Sequence, residues 1–168
     1  MSAASQVTFD IKSTQSSHIE IPDYFASSEF SDVGPDTYLV PGFFNRLPTV
    51  TRLDSVQSVP VWKNYLQTSL SDEVIISRRV QIEEVIVPLP LVFRLIKLST
   101  PEGQGLLNKR WTNRFYVFDK NHTPCGMYAT WIFNSWCIGV TDSLHVLTWP
   151  HGTLVITRNR LITRPVHN

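Results

Sequence analysis

Side chains branched at Cβ dominate this chain: 17 Val, 12 Ile and 15 Thr stand against only 4 Ala. A second heavy atom on Cβ costs rotamer freedom in a helix and packs well on a pleated surface, whereas Ala is the strongest helix former. The imbalance predicts an α+β, β-dominated fold: an antiparallel sheet or sandwich with one principal helix. At 168 residues the length suits one domain with a real core.

Turn residues and hydrophobic spacing divide the chain. Residues 1–36 are Ser-rich, carry six acids and one Lys, and show no sustained period. They read as a disordered, acidic N-terminal tail, with a single β-rich domain over 37–168. Within the tail Ile21, Tyr24, Phe25 and Phe30 punctuate acids and serines, a pattern suited to folding onto a protein partner's groove or docking on the chain's own core. Near residue 60, Ser58 can cap and Pro60 falls in the first turn. Trp62, Tyr65, Leu66 and Leu70 then recur at three- and four-residue steps, which predicts the principal helix at about 60–70.

Strands are expected from Asp72 onward. In EVIISRRVQI the residues Val74, Ile76, Val80 and Ile82 alternate, and Arg78 shares their side without an evident partner. LVFRLIKL and RWTNRFYVF flank a turn-rich link and suit a long hairpin. GMYATWIF is apolar on both faces and should be central and covered on both sides. LHVLTW and TLVITRNRL embrace Pro150 and Gly152, a tight turn.

Several chemistries fit poorly. Cys125 and Cys137 are separated by eleven residues of strand-forming sequence, roughly 23–40 Å at the rise of a strand, too far to share a zinc ion or form a disulfide. Asp142, Ser143 and His145 resemble a triad in composition only, since Ser and His two residues apart on a strand lie about 7 Å from each other. Glu83 and Glu84 would point to opposite faces of a strand. Gly103, Gly105 and Lys109 lack the remaining features of a phosphate-cradling loop. An enzyme would need a site assembled by the fold around Cys137, His145 and His151. No cofactor and no metal are expected.

Charge is divided along the chain. Residues 1–84 hold 11 acids and 6 bases, residues 85–168 hold 3 acids and 9 bases, so the halves carry −5 and +6. The basic half interleaves Lys109, Arg110 and Arg114 with Trp111 and Tyr116, and later brings Arg158, Arg160 and Arg164 at one strand parity. Arginine forks pair with phosphate oxygens, and neighbouring rings can stack on bases or settle among lipid headgroups. These eight residues predict a non-enzymatic binding or assembly protein that docks on an anionic partner. Nucleic acid or nucleoprotein is favoured over an anionic membrane, and self-association into a homo-oligomer is a further expectation. The acidic lead would cover the basic sheet until a partner displaces it. Low Ala, high Ser and Thr, and absent catalytic motifs are a composition met in small viral structural or accessory proteins. The opening stretch lacks the basic start and apolar core of a signal peptide, so a cytoplasmic location is expected, with the nucleus as the alternative.

Overall fold

The computed structural model describes residues 7–34, 37–99, 105–141, 144 and 147–166. Its frame is a seven-stranded mixed sheet. In chain order the strands are β1 (Ile11–Ile21), β2 (Tyr24–Ala26), β3 (Tyr38–Leu39), β4 (Val50–Arg52), β5 (Gln57–Leu66), β6 (Leu70–Ser71), β7 (Asn113–Phe118), β8 (Pro124–Ile132), β9 (Ser135–Thr141), β10 (Thr148–Trp149) and β11 (Leu154–Thr157). The helices are α1 (Phe43–Arg46), α2 (Asp72–Ile76) and α3 (Leu89–Leu98), with 3-10 turns at Ser27–Asp32 and Ile82–Glu84. The large sheet runs β1-β5-β11-β7-β8-β9-β3, and β2–β4 and β6–β10 form two small ribbons. The expectation of a β-dominated fold with one principal helix holds. The sheet is not purely antiparallel, however: β11 runs parallel to β7, and β3 parallel to β9.

The principal helix lies at 89–98 rather than 60–70. LVFRLIKL buries Leu91, Val92, Leu95 and Ile96 at helical spacing. Pro88 caps its start, and Pro90 occupies the first turn, where a missing N–H costs nothing. Residues 57–66 form strand β5 instead. Val59 and Val61 face one side, Asn64 and Leu66 the other, and β1 and β11 pair along its two edges. Those two ladders satisfy the backbone that the helix would have satisfied internally, so tertiary pairing overrides the chance three- and four-residue spacing of Trp62, Tyr65, Leu66 and Leu70. The expected strand EVIISRRVQI opens instead as α2, because the Ser71 hydroxyl accepts the Val74 N–H at 3.3 Å and acids fill the first turn.

The N-terminal segment is a second correction. Residues 11–32 are not a disordered tail: β1 pairs with β5 over its whole length. A bulge between Gln15 and His18 adds one residue to β1, which moves its odd-numbered side chains to the other face. Ile11 therefore packs on one side of the sheet, while Ile19 and Ile21 pack on the opposite side. Phe25 and Phe30 are buried against Phe93, at centroid distances of 5.1 and 5.6 Å. Ile21, Phe25 and Phe30 are thus core residues, and of the four expected partner-binding residues only Tyr24 is exposed. A segment built into the sheet this way cannot act as a displaceable cover. Residues 1–6 lie outside the described residues.

Two cores result. On one face α3, the 27–32 turn and α1 cover Val59, Val61, Phe115, Val117, Met127, Ala129, Leu154 and Ile156. On the other, α2 and its flanking segments cover Leu66, Tyr116 and Val155. Residues 85–87 cross between the faces beside β7. Val85 and Ile86 join the second core and Val87 the first, and the Val87 N–H donates to the Tyr116 carbonyl at 2.8 Å. No helix among the described residues is long and apolar enough to cross a membrane.

Candidate functional site

The eight basic and aromatic residues expected to share one surface divide among five places. Arg114 and Tyr116 leave the surface altogether. Both are fully buried on the α2 face. Arg114 donates through Nε and Nη2 to the two Asp72 carboxylate oxygens at 3.0 and 2.7 Å, and to the Thr141 hydroxyl at 2.9 Å. Tyr116 and the Trp149 indole also donate to Asp72, at 2.5 and 2.7 Å. Strand alternation puts Arg114 and Tyr116 on one face of β7. That face is covered, which is why neither can meet a partner.

Arg158, Arg160 and Arg164 follow the end of β11 rather than lying along it. Arg158 is half-buried in a cleft beside β4 and the 118–122 turn. Arg160 is exposed over a different groove, beside Phe9, Lys12 and Gln67. The Arg164 side chain is exposed, and its N–H and carbonyl engage Asp10. Their equal parity means little once the strand has ended.

Lys109, Arg110 and Trp111 do stay together, in a loop held at the start of β7. Asn108 Oδ1 accepts the N–H groups of Arg110 and Trp111 at 2.8 and 3.3 Å. The buried Asn113 amide clasps Asn108 in both directions at 2.7 Å and also donates to the Ala129 carbonyl at 3.0 Å. The Trp111 ring lies flat against Gly152, where an added Cβ would sit 2.8 Å from it. Beside this loop the β8–β9 hairpin turns through Phe133 and Asn134, both left-handed at φ 49° and 61°. Two positive φ angles between paired Ile132 and Ser135 define a two-residue turn of the kind that fits sheet twist. Asn tolerates that conformation and Phe does not favour it. Yet Phe133 stands there 98% exposed, beside a half-exposed Ile132.

The other rings of this end are already occupied. The Lys109 ammonium sits 4.3 Å from the Trp131 centroid, and Trp131 meets Trp136 edge-on at 5.1 Å. The Arg110 guanidinium lies 5.7 Å from the Trp111 centroid. Among the described rings of this end Phe133 is the most open, at 98% exposed against 39% for Trp111. The sequence pattern put Phe133 at the end of GMYATWIF, a strand expected to be covered on both sides, but β8 ends at Ile132 and Phe133 opens the turn, exposed. The Phe-Asn pair between two alternating runs was the available signal.

At the opposite end of β7 and β8, about six residues or roughly 20 Å away along the strands, lies a cleft of 470 Å³. Apolar residues line it, with Arg52, Lys120, His122 and Arg158 around them. The 119–123 turn that presents Lys120 and His122 is tightly held. Asp119 Oδ1 accepts the N–H groups of Asn121 and Thr123 at 2.8 and 2.9 Å, and Oδ2 meets Arg46 at 3.3 Å. Burial works to raise the Asp119 pKa, but these donors outweigh it and hold the carboxyl below its ordinary value. His122, at φ 59°, stacks on Phe118 with centroids 4.0 Å apart and planes 15° from parallel.

The thiols stand apart. Cys125 is buried, and desolvation pushes its pKa up to about 11. Cys137 is half-buried, opposite Thr130, and burial raises its thiol as well. The two point to opposite faces of the sheet, so they cannot share a ligand. His151 is exposed in the turn before β11, while Asp142, Ser143 and His145 lie outside the described residues. No family model, curated protein or solved structure matches this chain.

Proposed function

We propose that the protein acts by binding, and that it docks on an anionic membrane surface through the end of the sheet formed by residues 108–112 and the 132–135 turn. One observation carries this reading: Phe133 stands 98% exposed in a backbone conformation that its side chain does not favour. Folding gains nothing from such a residue there. A lipid interface gains about 2 kcal/mol from burying a ring of this size, and Ile132 adds to that. Lys109 and Arg110, at the base of the turn, match the sign of anionic headgroups. Nucleic acid, the partner favoured by composition, is the second reading. It is weakened because the rings of Trp111 and Trp131 already carry a cation on one face and protein on another, leaving Phe133 as the most open ring to stack on bases.

Co-sedimentation with vesicles of neutral or mixed neutral and anionic lipid, beside a single-stranded oligonucleotide, separates the two. Binding to anionic vesicles should fall about tenfold or more in Phe133→Ser. It should fall with added salt, and less steeply in Arg110→Gln. Retention on the oligonucleotide alone, or vesicle binding indifferent to Phe133, overturns the membrane reading.

A further inference from the structure

The cleft at the other end of the strands is a separate site, and its composition specifies a ligand. We propose that it binds a small molecule made of a flat ring joined to a phosphate, the chemistry shared by aryl phosphates and mononucleotides.

Size is the first argument. A cleft of 470 Å³ falls among those that hold a small ligand, about 300–1,000 Å³. Charge is the second. Arg52 comes from β4, Lys120 from the 119–123 turn and Arg158 from the segment after β11. None of the three has a carboxylate within ion-pair distance among the described residues. Asp119 is committed to Arg46 and its own turn, which leaves Glu83 as the one other acid lining the cleft. Three cations brought from three segments suit a head group with three oxygens. A carboxylate, with two, would leave one cation unanswered.

The walls give the third argument. Leu53, Val87 and Pro88 present apolar surface, and the stacked Phe118–His122 pair presents a ring with its outer side exposed. A planar group can lie on such a pair in the offset stacking that aromatic rings prefer. The Thr51 hydroxyl, also at the cleft, is buried and has no hydrogen-bond partner among the described residues.

Isothermal titration of the full chain with four probes tests the proposal: phenyl phosphate, adenosine monophosphate, adenosine and inorganic phosphate. Phenyl phosphate, the mononucleotide, or both should bind at least about tenfold more tightly than adenosine or inorganic phosphate, because ring and head group each contribute. The tighter of the two identifies the source of the ring. Arg158→Gln and Lys120→Gln should each lower that affinity about tenfold. Arg160→Gln, over another groove, should leave it unchanged, as should Phe133→Ser, so this site and the membrane reading fail independently. Inorganic phosphate binding as tightly as the ring-bearing probes, adenosine doing so, or no binding by any probe would each overturn the proposal.

Discussion

The two faces of the central sheet solve the same problem by opposite means. Under α3, packing is aliphatic and phenyl: Leu91, Leu95 and Ile96 meet Phe115, Met127 and Ile156, and shape alone fixes the fit. Under α2 an ion pair sits at the centre. Asp72 and Arg114 are both fully buried, with Tyr116, Trp149 and Thr141 adding hydrogen bonds and Arg114 Nη1 left without a partner among the described residues. Burying two charges has a desolvation cost that their attraction offsets only when geometry is good and further hydrogen bonds are supplied. What the α2 face gains is direction. Four donors aimed at one carboxylate fix α2, β7 and the Trp149 segment in one arrangement, where an apolar face tolerates several.

The sharpest way to break this comparison is to remove one charge. Asp72→Ala leaves the Arg114 guanidinium buried without its carboxylate and should cost about 3–5 kcal/mol. Leu95→Ala on the apolar face should cost about 2–5 kcal/mol by opening a cavity, so the single variants look alike. Pairs separate them. Asp72→Leu with Arg114→Met should recover most of the loss, because no orphaned charge remains. No matching repair exists for Leu95→Ala. Urea midpoints of the two singles and the double decide it, and a double as unstable as Asp72→Ala would show that the network stabilises rather than directs.

The sequence carried one of these faces better than the other. RWTNRFYVF and GMYATWIF read as strands because they alternate, and they are β7 and β8, paired through Phe115 and Met127. Alternation also put Arg114 and Tyr116 on one side. It could not say that the side was covered, because the cover comes from Asp72, 42 residues earlier, and from Trp149, well downstream. Arg78 is the same case. Its partner is Asp10, 68 residues away in the stretch that composition marked as a tail. Polarity misled there because β1 is an edge strand, with serines outward and few apolar anchors. LVFRLIKL was misread for another reason, since Leu, Ile and Val in an eight-residue run serve strand and helix alike. The prolines at 88 and 90 were the stronger signal. The cleft was illegible because Arg52, Lys120 and Arg158 meet only through the fold.

A smaller effect sharpens the contrast from the backbone side. Gly126, on β8 beside β7, leaves room for the guanidinium: a Cβ there would lie 1.9 Å from Arg114 Nη2. The blocking group is a side chain pinned through Nε and Nη2 by Asp72 and Thr141, so it does not swing aside freely. Gly126→Ala should therefore cost about 2 kcal/mol as an overpacking change. The same substitution should be far milder when Arg114 is already Met, whose flexible chain can yield. Equal costs in both backgrounds, read as denaturation midpoints, would remove the guanidinium as the reason for the glycine.

The smallest expected effect distinguishes the faces by pH. Burial, together with the neighbouring Asp72 charge, raises the Tyr116 phenol well above its ordinary 10.0, and the Arg114 charge offsets only part of this. Below pH 10 the folded and unfolded chains both keep the phenolic proton, so the contribution of Tyr116 is present in full. Above it the unfolded chain releases that proton while the folded chain retains it, and stability falls as pH rises, by up to about 1.4 kcal/mol per unit. Tyr116→Phe should cost about 1.5 kcal/mol at neutral pH, the worth of a hydrogen bond to a charged group. It should also flatten the loss of stability between about pH 10 and 11.5. Leu95→Ala should lower stability by a constant amount over that range, because the substitution removes no titrating group. Urea titrations at neutral and alkaline pH give both slopes. If Tyr116→Phe follows wild type in parallel above pH 10, the phenol proton is not held by the Asp72 network, and the two faces differ in chemistry without differing in response.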